Sequence, residues 1–136
     1  MIACFDTMKE GVVGQWRVVG AVSAGGVAGS LARFGLQTWW PSVWATLVIN
    51  VAGCLLIGML MVVVPRMHRL ARPFLGVGVL GGFTTFSGYV VDARFLAGEG
   101  PFWLALVYLV GTMAGAVVAT WSGVRLARLL ARRWAG

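Results

Sequence analysis

Acidic residues are scarce in this chain, and none of them lies deep in a long apolar stretch. The 136 residues include four Asp or Glu, against 11 Lys or Arg. A carrier that exchanges protons for cations needs a titratable acid at membrane depth, so this scarcity argues against that class of protein. Cysteine is also rare, and Cys4 and Cys54 lack the spacing of a disulfide framework. We therefore expect two isolated thiols.

The abundant residues are hydrophobic. They make up 60% of the chain, whereas charged residues make up 11%, and a soluble domain of this length could not bury so much apolar surface in one core. The formal charge of +7 could indicate a nucleic-acid partner. However, the arginines lie between and after apolar runs, not among aromatic residues of an amphipathic face. Their placement is typical of membrane topology signals, and we expect no nucleic-acid partner.

The apolar residues fall into four stretches, each long enough for one membrane crossing. The stretches cover residues 18–36, 43–64, 74–95 and 102–124. About 20 residues at a rise of about 1.5 Å cross the roughly 30 Å of a bilayer's hydrocarbon core. The sequence therefore predicts an all-α integral membrane protein with four transmembrane helices. It would consist of a cytoplasmic lead (1–17), one membrane domain (18–124) and a basic cytoplasmic tail (125–136).

Polar residues within the spans are the natural functional candidates, because an unsatisfied polar group in hydrocarbon is costly. All are neutral hydrogen-bond donors, namely Thr46, Asn50, Thr84, Thr85, Ser87, Tyr108 and Thr112. Thr46 and Asn50 are four residues apart, as are Tyr108 and Thr112, so each pair shares a helix face and could line one path. Donors without acids favour an anion path. The alternative is that the hydroxyls bond to their own helices while Asn50 joins two helices.

The third stretch contains residues that form a poor continuous helix. Residues 81–89 begin with two glycines and continue with Thr84, Thr85 and Ser87, which predicts a helix broken in mid-membrane. A break frees backbone carbonyls and amides, and broken helices of this kind form ion sites. The alternative is a kinked but continuous helix.

Three larger side chains are further candidates for contact with an anion. Phe86 and Tyr89 are three residues apart and point to one face, and the positive edge of an aromatic ring can stabilise a partly dehydrated small anion. The alternative is that both rings fill the core. Arg33 is the only basic residue within an apolar run. It either anchors its helix at the membrane interface or concentrates anions at a pore mouth.

Three segments together resemble the Fluc (CrcB) family of fluoride channels. They are residues 25–34 (GGVAGSLARF), 46–53 (TLVINVAG) and 81–87 (GGFTTFS), and the resemblance covers all four predicted spans in order. It implies a dual-pore dimer of two antiparallel chains. Such a dimer would let fluoride leave the cytoplasm passively and so reduce its cytoplasmic concentration.

The resemblance also implies roles for individual residues. With the polar positions above, it predicts a fluoride path formed by Asn50, Phe86, Tyr89, Ser87, Thr46, Tyr108 and Thr112. Arg33 matches a vestibule arginine, and the backbone carbonyls of Gly81 and Thr84 match the site of a structural sodium ion at the centre of the dimer interface. The chain departs from the family pattern at Gly88 and Tyr89, where a threonine and the second phenylalanine of an aromatic box are usual.

Two other functions are compatible with parts of the sequence. A small multidrug transporter is also an antiparallel dimer of four-span chains, but it requires a glutamate within its first helix, and the first apolar stretch here has no acid. A non-conducting or half-active structural subunit of a heterodimeric fluoride channel is compatible with the departures at Gly88 and Tyr89. The chain is not predicted to be an enzyme, since no nucleophile triad, metal-ligand cluster or phosphate loop is evident.

Basic residues are distributed unequally between the two ends of the predicted spans. Arg33 and Arg94 lie towards one side, and nine lie towards the other, namely Lys9, Arg17, Arg66, Arg69, Arg72, Arg125, Arg128, Arg132 and Arg133. Basic residues near span ends stay in the cytoplasm. The sequence therefore predicts a protein of the cell membrane with both termini on the cytoplasmic side. An antiparallel homodimer needs a nearly unbiased chain. The bias therefore predicts a homologous partner of opposite orientation, and the alternative is a homodimer whose bias is overridden during insertion.

Overall fold

The computed structural model describes residues 2–133, with side chains described for residues 14–65 and 67–133. Every regular element within this part of the chain is helical. The α-helices are α1 (Ile2–Trp39), α2 (Val43–Val63), α3 (Gly81–Phe83), α4 (Phe86–Glu99) and α5 (Phe102–Arg133). A short 3-10 turn (Val64–Arg66) follows α2, and a π-helix (Arg72–Leu80) runs directly into α3.

Four helical segments are long and apolar enough to cross a membrane, namely Gly14–Trp39, Val43–Val63, Arg72–Glu99 and Phe102–Arg133. The prediction of an all-α membrane protein with four spans is confirmed. Two helices extend beyond the predicted stretches: α1 includes most of the predicted lead, and α5 continues into the predicted tail. Residues 125–133 are mostly Arg, Leu and Ala, which are strong helix formers, so nothing local ends the helix earlier. Residues 134–136 of the predicted tail lie outside the described residues.

Side chains are distributed as expected for a protein surrounded by lipid. Large apolar residues lie on the outside, with Trp39 83% exposed and Val117 70% exposed. Polar residues lie inside, since Thr46, Asn50 and Thr112 are each buried. A soluble domain buries its large apolar residues first. The inverse distribution here leaves neutral polar groups in the interior, where a path through the protein could use them.

The helices form two closely packed pairs. One pair is α1 with the π-helix and α3, and the other is α2 with α5. Glycines allow the close approach, because a β-carbon at Gly29 would overlap the carbonyl of Val79, and one at Gly123 would overlap the carbonyl of Leu55. Contacts between the two pairs are fewer, and clefts therefore remain between them.

The third span changes its backbone conformation where α3 ends. Thr84 and Thr85 are extended, with ψ values of 156° and 128°, so two non-helical residues separate α3 from α4. The hydroxyl of Thr85 then accepts the Gly88 N–H at 3.1 Å and caps the start of α4. We refer to Thr84 and Thr85 as the interruption.

Candidate functional site

A side chain from α2 holds the interruption. Oδ1 of Asn50 accepts a hydrogen bond from the Thr85 N–H at 2.8 Å, and Nδ2 of Asn50 donates to the Thr85 carbonyl at 3.0 Å. In a continuous α-helix the Thr85 N–H would donate to the carbonyl of Gly81. Asn50 thus supplies the partners that the backbone lacks at this point, and it joins α2 to the third span.

A second contact holds the end of α3. Nε of Arg33 donates to the carbonyl of Gly82 at 3.2 Å, and the hydroxyl of Ser30 donates to the same oxygen at 3.4 Å. Carbonyls at the end of a helix have no helical donor, so these bonds satisfy one of them. A guanidinium carries further N–H groups and a permanent charge. Arg33 therefore binds the backbone beside the interruption and also supplies positive potential there.

A cleft of about 240 Å³ opens beside the interruption. It is lined by Asn50, Cys54, Thr84, Thr85, Phe86, Tyr89, Thr112, Met113 and Ala116. The cleft thus brings together residues from α2, the interruption, α4 and α5, including four of those predicted for the fluoride path. None of the lining residues has a side chain with a permanent charge. Such a cleft can hold a small ion or a few water molecules among neutral polar and aromatic groups.

Hydrogen bonds within the chain decide which donors the cleft can offer. The hydroxyls of Thr84 and Thr112 donate to carbonyls four residues earlier, at 3.0 and 2.7 Å, so both protons are used within their own segments. Asn50 uses one of its two Nδ2 hydrogens on Thr85, and the other is left for a ligand. The hydroxyls of Thr85 and Ser87 lie 3.3 Å apart and share one hydrogen bond, which leaves one further hydroxyl proton.

Two aromatic rings lie side by side at the cleft but differ in their surroundings. The centroids of Phe86 and Tyr89 are 5.4 Å apart with an interplanar angle of 54°. Phe86 is 77% exposed, whereas Tyr89 is 7% exposed and stacks on Tyr108 with centroids 6.1 Å apart. The ring of Phe86 is therefore available to a surrounding molecule, and the ring of Tyr89 is mostly covered by the chain itself.

Thr46 and Tyr108 belong to a polar group that lies beyond the cleft lining. The Tyr108 hydroxyl is 3.3 Å from Oδ2 of Asp92 and 3.1 Å from a carbonyl at the start of α2. Thr46 accepts a hydrogen bond from Nε2 of Gln37 at 3.2 Å. Both predicted residues are buried. Polar side chains therefore continue from the cleft towards the start of α2, and the carboxylate of Asp92 lies among them.

Asp92 and Gln37 belong to this polar group although neither stands out in the sequence. The sequence could have indicated Asp92, because it follows Tyr89 by three residues and so lies on the same face of α4. Gln37 gives no such signal, since it lies near the end of a span, where polar residues are usual.

The backbone at Gly81 and Thr84 fits the predicted sodium ion in its donor chemistry. The Thr85 N–H is bonded to Asn50, so the carbonyl of Gly81 lacks the donor that a helix would provide. Unwound carbonyls of this kind coordinate Na⁺ in membrane proteins. Among the residues that the structure describes, no group of three or more His, Cys, Asp or Glu is arranged to hold a metal ion. The carbonyl oxygens of Gly81 and Thr84 thus stay the predicted ligands.

These features define a multi-pass membrane protein with four spans, whose uncharged cleft, lined by polar and apolar side chains, lies at an interruption of the third span. Residues 20–124 match the family described as CrcB-like protein, Camphor Resistance (CrcB). The match includes most of every span, and the chain belongs to this family. The resemblance carried by the three sequence segments is confirmed.

Relatives in this family have been named as ion channels. The chain is 44% identical over 125 residues to Fluoride-specific ion channel FluC 1 of Streptomyces coelicolor, which covers 83% of this chain and 81% of the relative. It is 48% identical over 116 residues to Fluoride-specific ion channel FluC 2 of Nocardia farcinica, covering 79% and 83%. A Fluoride-specific ion channel FluC of Pseudomonas fluorescens is 45% identical over 118 residues, covering 80% and 95%.

Proposed function

We propose that this chain is a subunit of a fluoride-selective channel through which fluoride leaves the cytoplasm passively. The observation that carries the proposal is the cleft beside the interruption, where amide, hydroxyl and aromatic groups meet without a permanent charge. A channel must bind its ion well enough to admit it and weakly enough to release it. Neutral donors meet this requirement for a small anion, whereas a buried lysine or arginine would retain it. The names of the relatives support fluoride as that anion.

The fluoride path follows the polar and aromatic residues in and beyond the cleft. Arg33 holds the carbonyl of Gly82 beside the interruption, and its charge makes a smaller contribution by adding positive potential there. The remaining amide hydrogen of Asn50 and the one hydroxyl proton of Thr85 and Ser87 that their mutual hydrogen bond leaves free then replace part of the hydration shell of the ion. Because the ring of Phe86 is 77% exposed, its positive edge serves a path that a neighbouring chain completes.

The functional unit is an antiparallel dimer with two such paths. Phe86 lines the cleft with an exposed ring, so a second chain packed against it would close the open side of the cleft. A sodium ion would lie between the chains, where the carbonyl oxygens of Gly81 and Thr84 of each chain would coordinate it. Its role is structural, since it satisfies backbone oxygens that the interruption leaves without donors.

The partner is a homologous chain inserted in the opposite orientation. Nine of the 11 basic residues lie towards the side of the two termini, so this chain inserts with both termini in the cytoplasm. A second copy would have to insert against the same signal. The two paths of such a heterodimer need not be equivalent.

A second candidate function is a half-active or non-conducting subunit of the same heterodimer. Two observations favour it, because Tyr89 is buried against Tyr108 and both ends of the Asn50 amide are already bonded to Thr85. A small multidrug transporter receives no support, since residues 14–39 contain no Asp or Glu.

Fluoride efflux from liposomes tests the proposal. The chain is reconstituted alone, with a homologous chain of opposite charge bias, and with that partner after Asn50→Leu in this chain. We expect little efflux from the chain alone, rapid efflux from the pair, and a lower rate from the pair carrying Asn50→Leu. No efflux from a folded pair contradicts the channel function, and an unchanged rate with Asn50→Leu supports the non-conducting role. Full efflux from the chain alone contradicts the heterodimer.

A further inference from the structure

A second groove lies between α2 and the π-helix, and it shares no residue with the cleft. Its volume is about 370 Å³. Its lining is entirely apolar and includes Leu56, Leu60, Val63, Met67, Leu75 and Val79. A groove of this composition offers no hydrogen bond to water or to an ion, so it suits an apolar group.

The shape of the groove fits a single hydrocarbon chain. Leu56, Leu60 and Val63 form a stripe along one face of α2, and the seven steps from Leu56 to Val63 at about 1.5 Å each make this stripe about 10 Å long. The groove is open along its side, so an acyl chain can enter it directly from the surrounding lipid. The length is also less than one leaflet of the roughly 30 Å hydrocarbon core.

One end of the groove opens at a strongly basic connection. Met67 lines the groove and begins the segment between the 3-10 turn that follows α2 and the π-helix. Arg69 and Arg72 follow it closely and are both exposed. Residues 43–80 contain no Asp or Glu, so neither α2 nor the π-helix supplies a carboxylate to neutralise these arginines. The charge at this end therefore favours an anionic group.

We propose that the groove binds one acyl chain of an anionic membrane phospholipid, whose phosphate lies against Arg69 and Arg72. The acyl chain packs against the apolar stripe, and the guanidinium groups form charge-assisted hydrogen bonds with the phosphate. Basic pockets between helices on the cytoplasmic side are suited to such headgroups. The site depends on the loop and the π-helix, and its assignment does not depend on fluoride conduction.

Lipid retention by the purified protein tests this proposal. Native mass spectrometry compares phosphatidylglycerol with phosphatidylcholine of identical acyl chains, for the wild type and for matched variants. We expect the wild type to retain phosphatidylglycerol preferentially. The double substitution Arg69→Gln/Arg72→Gln should lower that affinity by about 25-fold, at about fivefold for each arginine. Arg128→Gln/Arg132→Gln removes the same charge near the same membrane face and should keep the preference.

The contribution of the groove is tested separately by filling it. Leu60→Trp, or Leu56→Trp at the more exposed rim, should reduce retention of phosphatidylglycerol while the arginines are intact, and thermal unfolding shows whether each variant is folded. Equal retention of the two lipids by the wild type overturns the proposal. So does an equal loss in the control pair, or full retention by folded Trp variants, which would indicate headgroup attraction without a groove. Loss of the dimer in the Trp variants would mean that a partner chain covers the groove, and it overturns the proposal as well.

Discussion

The side-chain amide of Asn50 makes two hydrogen bonds to the backbone of Thr85, at 2.8 and 3.0 Å, across 35 positions of sequence. The same residue lines the cleft and has one amide hydrogen left for a ligand. Asn50 therefore links the stability of the interruption to the chemistry of the proposed path. A substitution at this position should affect both.

Asn50→Leu should lower both fluoride efflux and stability. The substitution leaves the N–H and the carbonyl of Thr85 without partners, and each unpaired buried group costs about 1–3 kcal/mol. We expect a lower unfolding temperature of the folded dimer and a loss of most of the efflux. Val48→Leu on the same helix is the control, because Val48 is exposed and does not line the cleft. Wild-type efflux from folded Asn50→Leu dimers would remove Asn50 from the path.

Phe86→Leu should lower efflux with little change in the stability of the chain. The ring is 77% exposed, so the fold loses little packing, whereas the path loses an aromatic edge. An aromatic contact of about 0.5–1.5 kcal/mol corresponds to a roughly two- to thirteenfold change in rate. Phe95→Leu is the matched control, since Phe95 lies on the same helix and is also exposed. An equal effect of both substitutions would indicate a general change at the surface of α4.

The sequence predicts features that depend on composition and spacing. Four apolar stretches of sufficient length define the spans, and the Gly25 and Gly29 spacing is typical of close helix packing, which Gly29 makes with the π-helix. The polar candidates also follow directly, because few polar residues occur within the apolar stretches.

Partners distant in sequence could not be predicted. The spacing of Phe86 and Tyr89 correctly puts both rings on one side of α4, yet it cannot show that Tyr108 covers one ring and leaves the other exposed. Likewise, the bond from Arg33 to the carbonyl of Gly82 joins residues 49 positions apart. Helical periodicity fixes the direction of a side chain from its own axis, but the packing of other helices decides what it meets.

Tyr108→Phe should lower efflux, and Asp92→Asn should partly restore it. The Tyr108 hydroxyl lies 3.3 Å from a carboxylate oxygen of Asp92, so its removal leaves a carboxylate beside the proposed anion path without this donor. The hydrogen bond partly offsets the negative charge in the wild type, so its loss should strengthen the repulsion of fluoride. Asp92→Asn removes the charge, and efflux from the double variant should exceed that from Tyr108→Phe. A double variant slower than either single variant would show that the pair does not act through this charge.

Removal of sodium should reduce efflux or weaken the dimer. The proposed ligands are backbone carbonyls at Gly81 and Thr84, and the Thr84 hydroxyl is already bonded to the carbonyl of Leu80. Thr84→Val should therefore keep the dependence on sodium. The measurement exchanges Na⁺ for a large organic cation on both sides of the membrane and follows efflux and dimer dissociation. Indifference of the wild type to this exchange would favour a backbone satisfied without a cation.

The role of Arg33 can be divided between its charge and its hydrogen bond to Gly82. If the charge dominates by attracting anions, efflux should fall steeply between ionic strengths of about 0.01 M and about 1 M, where the Debye length shortens from about 30 Å to about 3 Å. If the bond to the Gly82 carbonyl dominates, the effect of substitution should be nearly independent of salt. Since Nε of Arg33 lies 3.2 Å from that carbonyl and the side chain is half-buried, we expect the second result.

Two substitutions of Arg33 make the distinction quantitative. Arg33→Leu removes both the charge and the donor, whereas Arg33→Gln retains an N–H donor without the charge. We expect Arg33→Leu to lower efflux strongly and Arg33→Gln to recover part of it, because a carbonyl at the end of α3 regains a partner. Gln15→Leu on the same helix serves as a control for a polar residue outside the cleft lining. Equal losses in both Arg33 variants, together with a steep salt dependence of the wild type, would assign Arg33 to anion attraction alone.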